Sequence, residues 1–259
     1  MQRYFSDEQT LQLKQTITLP ADLYKHAITV MRMREGSEFE LVTQDQQVNI
    51  MTLTAVTKKS AQAQVTEIFT HQVELPVEVT IACGLPKSDK KTDLIVEKGT
   101  ELGATHFIFF TSDYSQGKWD EKKQIKKLER LNKKALSAAE QSHRVVVPDV
   151  KYVKKLADLD VSAYQARVVA YEESAKAGEV SNLVQVLSHL QGKQTPPQQM
   201  IALFGPEGGI SPQEISTLEA NDFTLCGLGP RIMRAETAPL AFLATTMYAL
   251  ELAQQTPKD

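Results

Sequence analysis

Two glycine-bearing loops contain the residue types of this sequence that are best suited to binding and chemistry. The first loop, residues 204–209, reads Phe-Gly-Pro-Glu-Gly-Gly, and the second, residues 225–238, carries Arg234 and Glu236 beside its own glycines. Glycine tolerates positive φ and lets the backbone come close to a ligand. Arginine stabilises developing negative charge, and a carboxylate can accept a proton. The two loops therefore predict a ligand site in which a cation and a carboxylate lie next to backbone amides.

Each loop follows a short apolar segment that reads as a buried strand, Met200–Phe204 and Phe223–Leu225. Ser211, Pro212 and Glu214 then have the spacing of a capping box that starts a helix. Because ligands in open α/β sheets bind at the carboxyl ends of the strands, both loops are expected to border one cleft. A Gly-Gly pair between a strand and a helix is also often a simple turn, and this alternative stays open for the first loop taken alone. No Lys-Ser or Lys-Thr follows the glycines and Gly-x-Gly-x-x-Gly is absent, which argues against a P-loop and a dinucleotide fingerprint.

The two loops together resemble the signature of a known family. Gly-Pro-Glu-Gly-Gly at 205–209 is followed about twenty residues later by Leu-Gly-Pro-Arg-Ile-Met-Arg-Ala-Glu-Thr-Ala at 228–238. This combination resembles the RsmE family of ribosomal RNA methyltransferases, which belongs to the SPOUT superfamily, and lesser matches extend over almost the whole chain. The resemblance breaks at Asp113-Tyr114-Ser115, where the family usually has Glu-Arg-Ser, so no role is carried over for that arginine.

The resemblance implies S-adenosylmethionine as the cofactor and N3 of a specific uridine in 16S ribosomal RNA as the methyl acceptor. Arg234 is then expected to stabilise oxyanion character on the ring carbonyl. Glu236 is a candidate base for the imide proton, and the alternative is a carboxylate that merely favours a helix N-terminus. The expected cofactor contacts come from strand ends and both loops: Tyr171, Leu203, Phe204, Gly205, Glu207, Gly208, Gly209, Leu225, Leu228, Gly229, Ile232, Met233 and Arg234.

One strongly basic segment, residues 118–134, contains eight lysine and arginine residues. Apolar residues recur in it at helical spacing from Ile125 to Ala135, which places the basic side chains on the other side of a helix. Such a run is usually a solvated face, yet phosphate contacts need only positive charge and reach. Residues 26–36 also match the family's His-x3-Val-Leu-Arg-x-Arg-x-Gly element. We therefore expect ribosomal RNA of the small subunit as the partner, contacted by Arg3, His26, Arg32, Arg34, Lys122, Lys126 and Arg144.

The pattern of apolar and polar residues changes near residue 72. Before it, Phe39–Val42, Val48–Leu53 and Ala61–Ile68 read as half-buried strands, and Ala21–Met31 reads as a helix, which together suggest a small barrel. From residue 73 to 259, strands alternate with helices, as is typical of a mostly parallel α/β sheet. The resemblance implies a PUA-like RNA-binding β-barrel over 1–72 and a SPOUT α/β methyltransferase domain, threaded as a trefoil knot, over 73–259.

Composition narrows the class of protein. The formal charge of −3 on 259 residues argues against general basicity, so any RNA contact must be a local patch. Two cysteines without Cys-x-x-Cys indicate a reducing compartment, and the amino terminus lacks a signal core. The longest apolar stretch is too short for a membrane span, so we expect a cytoplasmic protein. The five histidines lack metal-ligand spacing, and no metal is expected.

The last predicted helix, Pro239–Ala253, is apolar almost all round, which is typical of a helix buried in a core or in a subunit interface. The superfamily resemblance favours a homodimer interface along the stripe of Leu240, Leu243 and Met247. Burial inside one core is the alternative.

Two other functions stay open on the sequence. One is a non-catalytic RNA-binding protein that retains a nucleotide pocket. The other is an enzyme of a different class that uses a nucleotide cofactor, since the strand, glycine loop and helix pattern alone would fit it.

Overall fold

The computed structural model of the protein describes residues 1–173, 181–190 and 198–253. The chain divides into two compact units, of which the first is Met1–Glu74 with Ala139–Val146 and the second is Leu75–Ala138 with Val147–Asp259. The sequence boundary at residue 72 lies close to the first division. The predicted boundary assigns Ala139–Val146 to the second domain, whereas this segment belongs to the first unit. The sequence pattern misses this because the position of the segment depends on contacts with residues distant in sequence.

The first unit is built on a five-stranded sheet in the order β1-β3-β4-β5-β2. Tyr4, Phe39 and Met51 from three of the strands are buried in one core, to which all five strands contribute. A short helix, α1 (Ala21–Tyr24), continues as a π-helical turn over Lys25–Val30. The three predicted strands are confirmed as β3 (Glu38–Val42), β4 (Gln47–Val56) and β5 (Ala61–Thr70). Two short strands, β1 (Arg3–Phe5) and β2 (Thr16–Thr18), complete the sheet.

The second unit is built on a parallel sheet, as the alternation of strands and helices predicts. In the described residues it has six strands in the order β11-β9-β10-β6-β7-β8, and every neighbouring pair is parallel. The apolar runs of these strands are buried on both faces, as in sheets covered by helices. The strands are β6 (Val77–Gly84), β7 (His106–Phe110), β8 (Asp149–Val153), β9 (Ala166–Ala170), β10 (Gln198–Phe204) and β11 (Thr224–Cys226).

Five longer helices are present in the described residues. They are α2 (Asp89–Glu101), α3 (Glu121–Gln141), α4 (Asn182–His189), α5 (Pro212–Glu219) and α6 (Ala238–Met247), and the last continues as a π-helical turn over Tyr248–Leu252. The sequence predicts the fourth of them from Val180 and a polar surface loop over 191–199. Val180 and residues 191–197 lie outside the described residues.

Two apolar residues that the helical spacing assigns to buried faces are exposed. Leu94 is 39% exposed because the covered face of α2 is formed by other residues, among them Ile95 and Val96. Ile125 is 60% exposed, and burial along α3 becomes complete only at Leu131. The predictions for these two positions are wrong, since periodicity identifies a stripe but not which turns of it are covered.

Much of the basic run on α3 is neutralised by α2. Arg130 Nη2 lies 3.0 Å from Asp93 Oδ1, Lys127 pairs with Asp89, and Lys134 Nζ lies 3.8 Å from Glu97 Oε2. Acids spaced by one helical turn thus face bases of similar spacing. These three cations stabilise helix packing, so the RNA prediction is left with the more exposed lysines of the run.

The final helix α6 belongs to the core of the second unit. Phe242 is 1% exposed and Leu243 is 0% exposed, and the Phe242 ring lies 5.7 Å from that of Phe204 in β10. The prediction that Leu243 lies in a subunit interface is therefore wrong, because its side chain is already covered within the protomer. No helix among the described residues is both long and apolar enough to cross a membrane.

Candidate active site

A cavity of about 550 Å³ opens at the carboxyl ends of β9, β10 and β11. Both glycine-bearing loops border it, as the strand pattern predicts. The lining residues are Lys91, Ala170, Tyr171, Glu172, Phe204, Gly205, Pro206, Glu207, Gly209, Ile210, Cys226, Leu228, Gly229, Pro230, Arg231, Ile232, Met233, Arg234, Ala235 and Ala238. The site is therefore a largely apolar cleft with charged groups at a few positions, which is the composition of a small-molecule site.

The first loop has a compact turn that requires glycine at two positions. A Cβ on Gly205 would lie 2.9 Å from Ile210 Cγ1, so a side chain there displaces the loop. Gly209 has φ +79°, a conformation that residues with a side chain rarely adopt. Its N–H donates to Pro206 O at 2.9 Å and closes the turn. At these two glycines the loop thus brings its backbone to the cavity wall.

The predicted capping box at the start of α5 is confirmed. Glu214 N–H donates to Ser211 Oγ at 3.2 Å, and Ser211 N–H donates to Glu214 Oε2 at 3.0 Å. Glu214 Oε1 also accepts from Asp113 N–H at 3.0 Å, and the Ser211 hydroxyl donates to Asp113 Oδ2 at 2.5 Å. The first loop is therefore anchored to α5 and to the segment that follows β7.

The second loop holds its functional groups by a turn before α6. Arg234 O accepts from Thr237 N–H at 2.8 Å and from Ala238 N–H at 3.0 Å, while the Arg234 side chain is exposed at the cavity. Ile232 lines the same cavity and is 72% exposed, which is unusual for a large apolar side chain. The loop therefore presents the exposed side chain of Arg234 and one uncovered apolar surface to whatever occupies the cleft.

Lys91 of α2 joins the two loops. Its Nζ lies 2.9 Å from Glu207 Oε1 on the first loop and 2.9 Å from Glu236 Oε2 on the second. The Glu207 carboxylate also accepts from Lys87 N–H at 3.2 Å. The sequence analysis assigns no role to Lys91. A lysine one helical turn into α2 gives no local signal that carboxylates more than a hundred residues away will flank it.

The environment keeps both carboxylates ionised. Burial raises the pKa of Glu207, but the hydrogen bonds from Lys91 and from backbone N–H groups outweigh burial, so the pKa lies below its ordinary value. The pKa of Glu236 is lowered by the same balance, with Arg234 adding a favourable charge. The carboxylates in turn raise the pKa of Lys91. Glu236 is thus held as an ion-pair partner, which makes it a weak base.

The structure brings most of the predicted cofactor residues to the cavity. The exceptions are Leu203, which is fully buried on the opposite side of β10 among Ile108 and Val169, and Leu225, which packs on the same cluster. Gly208 faces away as well, since a Cβ on it would lie 2.8 Å from Tyr114 Cβ. The others line the cleft: Tyr171, Phe204, Gly205, Glu207, Gly209, Leu228, Gly229, Ile232, Met233 and Arg234.

Two of the residues expected to contact RNA are buried structural groups. Arg3 is 1% exposed, with its Nε donating to Glu40 Oε2 at 2.7 Å and its Nη1 donating to His143 O at 2.6 Å. Arg144 is 3% exposed and pairs with Glu74. The expectation that these two arginines contact RNA is corrected, because both side chains are buried and held by carboxylates, out of reach of a phosphate on the surface.

The other expected RNA contacts lie on the surface. Arg32 and Arg34 are exposed, and Arg32 has φ +57°, which turns the chain sharply after the helical segment. Lys122 and Lys126 are exposed on α3. His26 is half-buried, with its Nδ1 3.0 Å from the hydroxyl of Tyr4. Within the described part of the chain, no group of three or more His, Cys, Asp or Glu side chains is placed to hold a metal ion.

Comparison with known families gives two matches in the chain. Residues 73–247 match the family model of an RNA methyltransferase domain. Residues 19–66 match the model of an RNA methyltransferase PUA domain. The PUA model lies within the first compact unit, and the methyltransferase model covers most of the second unit together with Ala139–Val146 of the first.

Individual relatives cover nearly the full chain. It is 41% identical over 256 residues to ribosomal RNA small subunit methyltransferase E of Bacillus subtilis, covering 97% of this chain and 98% of that protein. The crystal structure of a hypothetical protein matches with TM-score 0.86 at 38% identity, covering 98% of this chain and 100% of that one. The crystal structure of a ribosomal RNA small subunit methyltransferase E of Neisseria gonorrhoeae, bound to S-adenosyl methionine, matches with TM-score 0.79 at 26% identity. The match covers 96% of this chain and 98% of that one.

Proposed function

The chain belongs to the RsmE family of ribosomal RNA small subunit methyltransferases, and from that membership and its cavity we propose that it methylates N3 of a uridine in small-subunit ribosomal RNA with S-adenosylmethionine as donor. The observation that carries the proposal is the cleft between the two glycine-bearing loops, which lies at the carboxyl ends of three adjacent parallel strands. This is where α/β sheets bind nucleotide-like ligands.

The residues of the cleft fit S-adenosylmethionine in size and chemistry. Its volume of about 550 Å³ is within the usual range for a ligand of that class. Phe204, Leu228, Ile232 and Met233 supply apolar walls, and the uncovered side chain of Ile232 offers a surface for an adenine or a methionyl chain. The backbone of the first loop, free of side chains at Gly205 and Gly209, supplies amides for polar recognition.

When bound, S-adenosylmethionine supplies an electrophilic methyl group on a sulfonium. The protein's contribution is chiefly to position and orient, which can lower a barrier by about 7–11 kcal/mol for a well-aligned pair. We assign Arg234 to the uracil ring, where its guanidinium offsets the negative charge that develops on the carbonyl oxygen as the N3 proton leaves. The turn that fixes its backbone keeps the side chain at the rim of the cleft.

We do not assign proton abstraction to Glu236. Its carboxylate lies 2.9 Å from Lys91, and its pKa is lowered, so it holds a proton poorly at neutral pH. Its proposed role is to hold the Arg234 loop against α2.

Two variants, Arg234→Lys and Arg234→Ala, test the role of Arg234 in methyl transfer. Both should keep S-adenosylmethionine affinity within a few fold, whereas methyl transfer should fall by about 10²–10³-fold in the alanine variant. Methyl transfer at the wild-type rate would remove Arg234 from the mechanism.

We further propose that the first unit binds RNA through Arg32 and Arg34. Both are exposed, and the unit matches the RNA methyltransferase PUA domain over residues 19–66. A ribosomal substrate also implies a cytoplasmic enzyme, in keeping with the two buried cysteines, Cys83 and Cys226. Replacing both arginines by alanine should reduce the salt dependence of RNA binding and leave cofactor affinity unchanged. Equal salt slopes for variant and wild type would contradict this assignment.

A homodimer is the proposed working unit, with the end of the last helix as its contact. Tyr248 is 61% exposed and Leu252 is 52% exposed, and the neighbouring helix α4 adds Val184 at 63%. This apolar surface replaces the stripe around Leu243 as the expected interface. Tyr248→Glu should shift the protein to monomer in sedimentation velocity without unfolding it. A wild-type chain that sediments as an active monomer at micromolar concentration would exclude the dimer.

Two finer features of the fold are also proposed. The first is that the sheet of the first unit curls into a barrel, since one core takes residues from all five strands. The second is a trefoil knot: the chain runs to the edge strand β11 and then returns, in α6, to the centre of the sheet beside β10. Pulling residues 75 and 253 apart in an optical trap tests the knot. A knotted chain stops short of the full contour length of about 3.3–3.6 Å per residue, and an unknotted chain reaches it.

A further inference from the structure

A second cavity, of about 630 Å³, lies at the carboxyl ends of β7 and β8 and shares no lining residue with the first. Its walls come from the segment after β7, the segment after β8 and the first turns of α5. All of its lining residues except Leu156 and Ala157 are polar: Thr111, Ser112, Asp113, Ser115, Lys118, Lys155, Gln213, Glu214 and Thr217. Two lysines and two carboxylates give the cavity its charged groups.

The carboxylates of the cavity are engaged by the protein. Both oxygens of Glu214 accept backbone N–H groups, from Asp113 and from Ser211, at 3.0 Å each. Asp113 Oδ2 accepts the Ser211 hydroxyl at 2.5 Å. These bonds hold the loop between the two cavities in place. They also direct these carboxylate oxygens toward protein donors and not toward the lysines of the cavity, while the two negative charges remain.

The two lysines of the cavity have no such partners. Lys118 and Lys155 are exposed, and no carboxylate of the described residues lies within 4.0 Å of either ammonium group. By contrast, Lys127 and Lys151 elsewhere in the same unit are paired with aspartates. Hydroxyl groups line the same cavity, with Ser112 Oγ and Ser115 Oγ 3.1 Å apart. One of these two hydroxyls donates to the other, which leaves one hydroxyl proton for a ligand. Ammonium groups without an ion-pair partner next to a hydroxyl donor match an oxyanion with several acceptor oxygens.

We propose that this second cavity binds a phosphodiester segment of the substrate RNA. The inference rests on the proposed function, which supplies the RNA. Lysine binds phosphate as a point charge and hydroxyl side chains donate to phosphate oxygens, and such contacts position a nucleic acid without reading its sequence. The volume exceeds that of one phosphate group, so a segment of chain rather than a single ion is the expected occupant.

The position of the cavity supports this occupant. Ile210 lines the first cavity, and Gln213 and Glu214, a few residues later, line the second. The loop and the first turn of α5 therefore separate the two cavities. An RNA strand fixed by its backbone in the second cavity is held beside the cleft where methyl transfer is proposed. The second cavity is then a positioning site that lowers the entropy cost of presenting the target base.

Lys118→Gln combined with Lys155→Gln tests the proposal in the full-length chain. If each lysine contacts one phosphate of single-stranded RNA, the slope of log K against log salt should fall by about 0.7 per lysine, or about 1.4 for both. At 0.1 M salt this corresponds to about 25-fold weaker binding. The probe is protein-free small-subunit ribosomal RNA, titrated from 0.05 to 0.2 M KCl. Lys154→Gln, an exposed neighbour that does not line the cavity, is the matched control.

The proposal predicts the loss of slope in the double variant, a wild-type slope in the control, and unchanged S-adenosylmethionine affinity in both. It is overturned if the double variant keeps the wild-type slope, or if Lys154→Gln loses as much per lysine. Calorimetric binding of inorganic phosphate together with an unchanged RNA slope would identify a small-anion site and also overturn it. A wild-type chain that binds no S-adenosylmethionine refutes the proposed function instead, so the two failures are distinguishable.

Discussion

Replacing Lys91 by methionine removes the single charge that joins the two cofactor loops. The ammonium lies 2.9 Å from both Glu207 and Glu236, and the three side chains are 25%, 29% and 14% exposed. Exposed ion pairs contribute about 0.2–1 kcal/mol and charge-assisted hydrogen bonds about 1.5–3 kcal/mol. For partly buried pairs we take about 1 kcal/mol each, or about 2 kcal/mol in total. If loop order is fully coupled to binding, S-adenosylmethionine affinity falls about 30-fold.

The pH dependence of S-adenosylmethionine affinity distinguishes an ion-pair role of Lys91 from a packing role. In the wild type the pKa values of Glu207 and Glu236 are lowered, so the ion pairs contribute their full stability above the ordinary glutamate pKa and lose it as the pH falls through the lowered values. Affinity should therefore be flat between pH 7 and pH 5. In Lys91→Met the two carboxylates repel each other, which raises their pKa values, so acidification relieves the repulsion and affinity should rise over the same interval.

Isothermal titration calorimetry with S-adenosylmethionine at pH 7 and pH 5 measures both effects. Lys90→Met, one position earlier on α2 and exposed, is the matched control and should bind as the wild type. Lys91→Arg should restore most of the affinity, since it keeps the charge. A folded Lys91→Met protein with wild-type affinity, or with a weakened affinity that shows the same flat pH profile, would refute the ion-pair role of Lys91.

Three further changes test the site and the corrected residues. Gly205→Ala should weaken S-adenosylmethionine binding at least tenfold in calorimetry, since its Cβ would approach Ile210 Cγ1 to 2.9 Å; unchanged affinity would contradict the loop geometry. Arg3→Met leaves the partly buried Glu40 with His143 as its remaining charged partner and should cost about 1.5–3 kcal/mol in urea unfolding, with no change in the RNA salt slope; the opposite pattern would return Arg3 to an RNA-binding role. Burial raises the pKa of Glu140 to about 7, so the wild type loses stability as the pH rises from the ordinary glutamate pKa through 7. Glu140→Gln should therefore melt at a higher temperature than the wild type at about pH 8 but not at about pH 4. Equal melting temperatures at about pH 8 would contradict the raised pKa.

Features set by neighbouring residues could be predicted from the sequence. The capping box of Ser211 and Glu214 has its partners within three positions, and strands such as β10 are marked by apolar runs between turns. The cleft followed from the rule that parallel strands end at one edge of the sheet. Local chemistry and a general topological rule were sufficient there.

Features set by distant partners could not be predicted. Lys91 acquires its role from two carboxylates brought to it by folding, and Arg144 is occupied by Glu74, seventy positions away in sequence. Leu203 adjoins the loop, which favours a cofactor contact from sequence alone, yet alternation along a strand turns its side chain to the face opposite Phe204. Matching a family motif identifies the segment that forms a site, but burial and pairing decide which of its side chains are free.

Nucleoside mass mapping of small-subunit ribosomal RNA tests the proposed methyl transfer most directly. Unmodified RNA, free and assembled into subunits, is incubated with S-adenosylmethionine and either wild-type protein or Arg234→Ala, then digested and analysed. The predicted result is one methylated uridine, with the methyl group on N3, in the wild-type reaction and a strongly reduced yield with the variant. A folded wild-type protein that binds S-adenosylmethionine but leaves every uridine of both RNA substrates unmethylated would contradict the proposal.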